Sequence, residues 1–374
     1  MNTTLTRGDL QQLTSMLTDL RDVRFDVVAD ARALAMDAGD LILPGMDARL
    51  TLDGVETIDA RLTPNGHCDG QLADKLGIPR RYLSRLRTEA VDLLDENVNH
   101  WLQADARRFF VRGFKRDDGS AGMARAVLSD GYRALDHLDT LFAGLAGIQK
   151  AGIDAKVRSC SLSDTAMHVR LVAPELAVAA PGLLHGYRSP FTGDTGAENP
   201  MICAGLRIDN SEVGAGALQI APFVEVQVCK NGMTKTADAL RQIHAGTKMA
   251  STGIVDWSDD THRLNSELVT SMVSDAVRTF LSPEYLASVV AEMEAASGVR
   301  LADPVATIER VAKVHTFTAD EQASILSHFI EGGDCTAGGV MQAVTSVAQT
   351  LNDPDRVGSF EDAALGVLQT AAFG

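Results

Sequence analysis

The sequence predicts an α+β fold: an antiparallel β-sheet middle with packed helices, followed by an all-helical, acidic C-terminal part. Three observations lead there. Strand patterns paired through turn residues recur between Arg108 and Val228. No strand–helix–strand alternation runs long enough for a doubly wound parallel sheet. From Asp303 to Ala372 the hydrophobic period is helical, and residues 256–374 carry 18 acidic against six basic side chains. At roughly 150 residues per domain, 374 residues divide into two or three units. The expected parts are 1–66 (N-terminal helix and strands), 67–255 (α+β core with a long loop at 181–200) and 256–374 (helical).

The elements follow in order. Asp9 to Leu20 places apolar residues at helical spacing. Leu41 to Leu62 alternates around Asp53-Gly54, so two strands and a turn are expected. Cys68 to Leu76, Arg80 to Asn97 and Val98 to Gln103 read as helices. Arg108 to Lys115 and Gly122 to Ser129 read as a hairpin around Asp117-Asp118-Gly119-Ser120. Leu135 to Gln149 carries a helical stripe of Leu135, Leu138, Leu141, Phe142, Leu145 and Ile148. Asp154 to Leu162 and Thr165 to Val172 form a second hairpin pattern. Pro181 to Pro200 is rich in Gly, Pro, Ser and Thr, as functional or mobile loops often are. Met201 to Ile208 and Ala217 to Val228 read as strands, and Met233 to Met249 as a helix. Thr261 to Ala296 is helical with a break at Ser282-Pro283. Helices at Asp303–Val314, Ala319–Ile330, Thr336–Leu351 and Phe360–Ala372 close the chain.

The net charge is −16, unevenly spread. Residues 80–133 are locally basic, with 11 basic and eight acidic side chains. Long-range repulsion disfavours nucleic acid, but a local basic surface still attracts phosphates at short range. The five cysteines form no CxxC pair, so zinc-finger and thioredoxin-like spacings are missing. Reduced thiols are expected, with Cys160, Cys203 and Cys229 on strands. No apolar run reaches the roughly 18 residues of a membrane span, and Met1 to Leu17 lacks a signal-peptide core. A cytoplasmic protein without a membrane partner is expected.

Three segments carry candidate chemistry. Gln71 to Leu86 spaces Ala73, Gly77 and Leu83 as a helix-turn-helix does, with Arg80, Arg81, Arg85 and Arg87 on or beside the second helix. A plain helical corner fits the same spacing. The hairpin interleaves Arg107, Arg108, Arg112, Lys115 and Arg116, with Arg125 opposite, among Phe109, Phe110 and Phe114. Cations that neutralise phosphates beside rings that stack on bases hold single strands. If Phe110 and Phe114 face the core instead, the arginines form a solvated face and still reach phosphate. Ile208 to Gly232 contains Gly214-Ala215-Gly216 and Lys230-Asn231-Gly232, turns able to present backbone N–H groups to a phosphate, although no Walker loop is present. His100, His137, His168, His185 and His244 are scattered singly and read as structural. No nucleophile, acid–base or metal constellation is visible, so neither an enzyme activity nor a cofactor is expected.

Several motifs resemble the phage/plasmid-like family catalogued as domain of unknown function number nine hundred and thirty-two. They are GQLADKLGIPRRYL (70–83), NVNHWL (97–102), ARAVLSDGYRALDH (124–137), IDNSEVGAGALQI (208–220), VCKNG (228–232) and GGVMQAVTSVAQ (338–349). The resemblance implies a mobile-element protein without an established enzyme activity. The hairpin–helix–sheet–helix order is also similar to ring-forming single-strand annealing proteins, whose grooves are more basic. The expectation is a DNA-metabolism protein binding single-stranded DNA, with strand annealing in recombination as the implied role. The expected contacts are Arg80, Arg81, Arg85, Arg108, Arg112, Lys115, Arg116, Arg125, Arg133 and Lys230. Open sheet edges imply a homo-oligomer. The alternative is a non-enzymatic structural or interaction protein that binds a protein partner through its acidic helices.

Overall fold

The computed structural model describes residues 3–51, 54–116, 120–132, 134–242 and 259–374. In chain order these form β1 (Leu5–Gly8), α1 (Leu10–Asp22), β2 (Arg24–Asp30), β3 (Ala35–Asp37), β4 (Asp40–Thr51), β5 (Gly54–Pro64), α2 (Gly66–Leu76), α3 (Arg80–Glu89), α4 (Val91–Ala104), β6 (Arg108–Phe114), β7 (Gly122–Ser129), α5 (His137–Ala151), β8 (Lys156–Leu162) and β9 (Met167–Ala179). There follow α6 (Pro181–Leu184), β10 (Met201–Asn210), β11 (Leu218–Val226), β12 (Gly232–Thr234), β13 (Leu240–Gln242), α7 (Asp259–Phe280), α8 (Pro283–Ser297), α9 (Pro304–Val314), α10 (Ala319–Gly332), α11 (Ala337–Ala348) and α12 (Pro354–Phe373). The α+β fold read from the sequence is present, but with two sheets.

The first sheet runs β2-β6-β7-β5-β4-β3, and the second runs β1-β8-β9-β10-β11-β12 with β13 also on β11. Pairing is antiparallel except between β5 and β7, where Leu62 faces Gly122 in parallel. On the first sheet Phe109, Val111, Leu41 and Leu62 point to one face and pack with Leu72, Leu83, Leu94 and Leu102 of α2, α3 and α4. The alternating residues Phe110, Arg112 and Phe114 therefore point the other way, toward the second sheet. The second sheet is covered on both faces. Gly144 of α5 sits close enough to Ile208 that an added Cβ would lie 3.0 Å from its side chain. The next residue, Arg207, points oppositely and reaches Asp362 of α12 at 2.6 Å.

Helix ends follow local chemistry. Asp9 and Gln12 form a capping box on α1, and Thr318 and Glu321 form another on α10. Asp303 and Asp353 cap α9 and α12. The C-terminal helices are not an appendage: Val340, Val344, Phe360 and Val367 share one buried core with Leu206, Ile220 and Val224.

Some expectations change. The boundary at residue 66 runs through one sheet, because β5 pairs β7 across it. The helix expected from Met233 to Met249 begins instead as β12, a 3-10 turn and β13, held to β11 by ladder bonds; residues 243–249 and His244 lie outside the described residues. The helix from Arg80 to Asn97 breaks at Ala90, whose backbone (φ −157°, ψ 71°) is not helical. The 181–200 loop is pinned: Tyr187 is buried, and Arg188 N–H donates to Gly332 O at 3.0 Å. All five cysteines are free, four of them buried, and Cys229 sits in a turn rather than on a strand. Among the described residues no helix is long and apolar enough to cross a membrane.

Candidate nucleic-acid interface

The hairpin arginines are not where the sequence reading needs them. Arg112 is 2% exposed. Its Nε and Nη2 donate to Asp26 at 2.9 and 3.0 Å, and Nη2 also reaches Asp136 at 2.5 Å. Arg125 sits at a β-bulge opposite Arg112 and Gly113. It is buried, donates to Glu212 at 2.7 Å and lies over the Phe114 ring at 4.7 Å. The reason is the second sheet. A strand face that alternation marks as outer becomes interior once another layer covers it. Neither guanidinium is free for phosphate, and the expected groove on this hairpin is withdrawn.

The ion cluster instead joins the two sheets. Glu212, from the segment between β10 and β11, also accepts from the His137 backbone N–H at 2.7 Å. Burial opposes its ionisation, but His137, Arg125 and Arg112 hold the carboxyl well below the usual carboxylate range. Burial pushes the His137 imidazole down to about 4, so it is neutral at physiological pH. The NSEVGAGAL motif (210–218) is this joint. Asn210 Nδ2 donates to Leu135 O at 2.9 Å, and Val213 O accepts from Gln71 Nε2 at 2.7 Å. Gly214 has φ +77°, and a Cβ there would meet Leu128 at 2.7 Å. The Ala215 N–H is spent on Ser211 Oγ at 3.0 Å, so the loop does not hold that donor open for a phosphate. The KNG turn is likewise structural at its centre. Asn231 is fully buried and donates to Gln342 Oε1 at 3.0 Å, docking the turn on α11.

The α2–α3 corner presents the cations. Gly77 ends α2 in the left-handed region (φ +70°), and Ile78 N–H returns to Ala73 O at 2.9 Å. Three residues, Gly77 to Pro79, separate the helices, as in a helix-turn-helix. Leu83 and Leu86 alone anchor α3 in the core, so Arg80, Arg81, Tyr82, Ser84 and Arg85 are exposed. Arg80 pairs with Asp74, and Arg85 with Glu89 at 2.7 Å. These surface pairs are weak and yield readily to a phosphate. Arg81 has no partner among the described residues. Two cations that the sequence reading did not assign to this corner complete it. Arg107 Nη2 donates to Lys75 O at 2.5 Å, which brings the start of β6 against the end of α2. Half-burial and then the neighbouring Arg107 push the Lys75 ammonium below its ordinary value, while Asp105, Asp130 and Asp74 raise it; Arg107 is itself paired with Asp105 at 2.6 Å.

The remaining expected contacts scatter. Arg108 is exposed, 3.9 Å from Asp30. Lys115 lies over the Phe25 ring at 4.4 Å, and Arg116 donates to Ser120 Oγ at 3.4 Å. Arg133 lies outside the described residues. Lys230 sits in the β11–β12 turn of the second sheet, apart from α3. Sequence reasoning had the signal for Arg107 within its own hairpin motif. For Lys75 no local signal existed, because only the chain return at Arg107 brings the two together.

No protein-family model, curated protein or solved structure matches the chain. The motif resemblance therefore rests on those motifs alone.

Proposed function

We propose that the protein binds single-stranded DNA through the α2–α3 corner, in the DNA metabolism of a phage or plasmid. The observation that carries this is the outer face of α3, where Arg81 and Tyr82 stand exposed and side by side between the weakly paired Arg80 and Arg85. Cations beside an exposed ring suit phosphates and stacked bases. The locally basic corner confines contact to one side of an acidic protein.

Fluorescence anisotropy with a labelled single strand at 50 and 150 mM salt tests it. R81A/Y82A should weaken binding about tenfold and lower the salt slope by about 0.7, the share of one phosphate on a single strand. R112M, if still folded, should leave the slope unchanged. No binding at 50 mM salt, or binding indifferent to R81A/Y82A, refutes the proposal. The helix-turn-helix geometry favours a duplex ligand instead, and tighter binding of a duplex of the same length would move the reading there. Annealing is read by mixing complementary labelled strands with the protein. The protein-partner alternative has its own observation: Val314, Ile330 and Phe373 are 58%, 69% and 70% exposed on the acidic helices. It replaces DNA binding if neither strand form binds. The described edge strands β1, β3, β12 and β13 are at most four residues long, and the edge strand β2 carries Arg24, Asp26 and Asp30. Such edges resist pairing. The open edge that remains among the described residues is the β4–β5 hairpin, where β4 beyond Ile42 pairs only β5, and β5 before Leu62 pairs only β4.

A further inference from the structure

On the far side of the second sheet from α5, four cations converge on a cleft of about 220 Å³ beside α11 and α12: Arg7 of β1, Arg158 of β8, Arg170 of β9 and Lys230 of the β11–β12 turn. Two carboxylates share the cleft, and both are engaged. Arg170 Nε and Nη2 hold Glu361 at 2.9 and 2.7 Å, and Arg158 Nε holds Glu225 at 2.8 Å. That leaves two cations in no direct ion pair, although each lies within electrostatic reach of a cleft carboxylate, Arg7 of Glu361 and Lys230 of Glu225. Arg7 Nη2 donates to a neutral carbonyl, Ala348 O, at 2.7 Å. The Lys230 ammonium makes no hydrogen bond or ion pair with the described residues.

The same two residues are conformationally unusual. Arg7 has φ +51° and Lys230 φ +58°; among the described residues only Ala38 and Thr316 are the other non-glycines in the left-handed region. An L-residue there is strained, and such strain gathers where a side chain must be aimed. The fold holds both backbones in place. Arg7 N–H donates to Ser161 Oγ at 3.1 Å, and Lys230 N–H to Val226 O at 2.7 Å. Burial and then Arg170 push the Arg7 guanidinium below its ordinary value, while Glu361 raises it. The cleft's lining holds four cations against the two carboxylates.

We propose that this cleft is an anion site that takes a phosphate monoester, with Lys230 and Arg7 as the ligating cations and the Arg170–Glu361 and Arg158–Glu225 pairs as its walls. Two cations in no direct ion pair match the double charge of a phosphate monoester, and a volume of about 220 Å³ is roughly that of seven waters in the liquid, room for a phosphate and a small substituent. The inference stands apart from DNA binding at α3, because none of the α3 residues lines the cleft.

Titration calorimetry of the full chain with inorganic phosphate, at constant ionic strength set with chloride, tests it. The expected result is saturable binding that K230Q weakens about tenfold, the loss of one charge-assisted contact. K230G removes the cation and relieves the left-handed strain together. It should unfold at a higher temperature than the parent chain while losing the phosphate response. Phosphate also stabilises proteins by exclusion from their surface, but that effect is the same in all three chains. A 5′-phosphorylated oligonucleotide against its unphosphorylated twin then separates a DNA end from a small free phosphate ester as the source. No saturable phosphate binding, or binding equal in the parent chain and K230Q, overturns the proposal.

Discussion

Replacing Arg112 with Met tests whether the hairpin cations belong to the interior. The guanidinium is 2% exposed and meets three carboxylates: Asp26 at 2.9 Å, Asp136 at 2.5 Å and Glu212 at 3.9 Å. At an effective dielectric of about 20, one ion pair at 4 Å is worth about 4 kcal/mol, so the gross attraction approaches 12 kcal/mol. Much of that offsets the desolvation of the charges. Arg112→Met removes one of the two cations that serve each carboxylate: Asp26 and Asp136 keep Arg24, Glu212 keeps Arg125, and the loss is about 3–5 kcal/mol. With an unfolding entropy of about 2.1 cal/mol/K per residue, a 374-residue chain unfolding as one unit would lose about 4–6 °C in Tm. Urea unfolding followed by circular dichroism measures the difference, and R112M/D26N should recover part of it, because the two carboxylates then left to Arg24 become one. A loss below about 1 kcal/mol, joined to a fall in DNA affinity, would refute the burial argument and return Arg112 to a binding surface.

Other outcomes follow from separate parts of the molecule. His168 is clamped between Asp209 at 2.7 Å and Asp355 at 2.9 Å; burial opposes its charge, but the two carboxylates raise its pKa to about 9. Its folded pKa lies above the unfolded value near 6.5, so the clamp's roughly 3 kcal/mol is fully present below pH 6.5 and fades as pH rises through 9. Denaturation midpoints at pH 6, 7.5 and 9 should fall in that order, and H168N should flatten the trend. Gly77→Ala meets no atom within 4 Å but places a Cβ at φ +70°, so it should cost about 1–2 kcal/mol in thermal unfolding; no change would mean that the α2–α3 corner is not held as described. Gly232→Ala would bring a Cβ to 2.3 Å from the Phe223 ring, and insoluble or strongly destabilised protein is the expected outcome on expression. A chain ending at residue 256 loses Val340, Val344, Phe360 and Val367 from the shared core, and should aggregate when expressed; a soluble, folded product would show the helical part to be independent.

Periodicity and turn chemistry made most of the secondary structure legible. The stripe from Leu138 to Ile148 lies on α5, with Phe142 exposed and Leu135 ahead of the helix, and the hairpin of β6 and β7 falls within a residue of its expected ends. The Gly77 turn and the buried Leu83 of the α2–α3 corner were readable because local spacing specifies a helix end and its contact. β2 escaped notice: Arg24 to Asp30 is short and polar at three positions, and it becomes a strand by pairing residue for residue with β6, 78 to 90 positions along the chain. The fate of the arginines was not in the sequence either. Alternation along β6 places Arg112 opposite Phe109 and Val111, yet it does not say whether that face meets water or a second sheet. The answer depends on Asp26, Asp136 and Glu212, which reach Arg112 from strands and loops as many as 100 residues away. Local sequence determines which backbone form a segment prefers and which residues share a face. Which charges remain at the surface is decided by how distant segments stack, because a guanidinium is available to a ligand only where no carboxylate of the fold has claimed it.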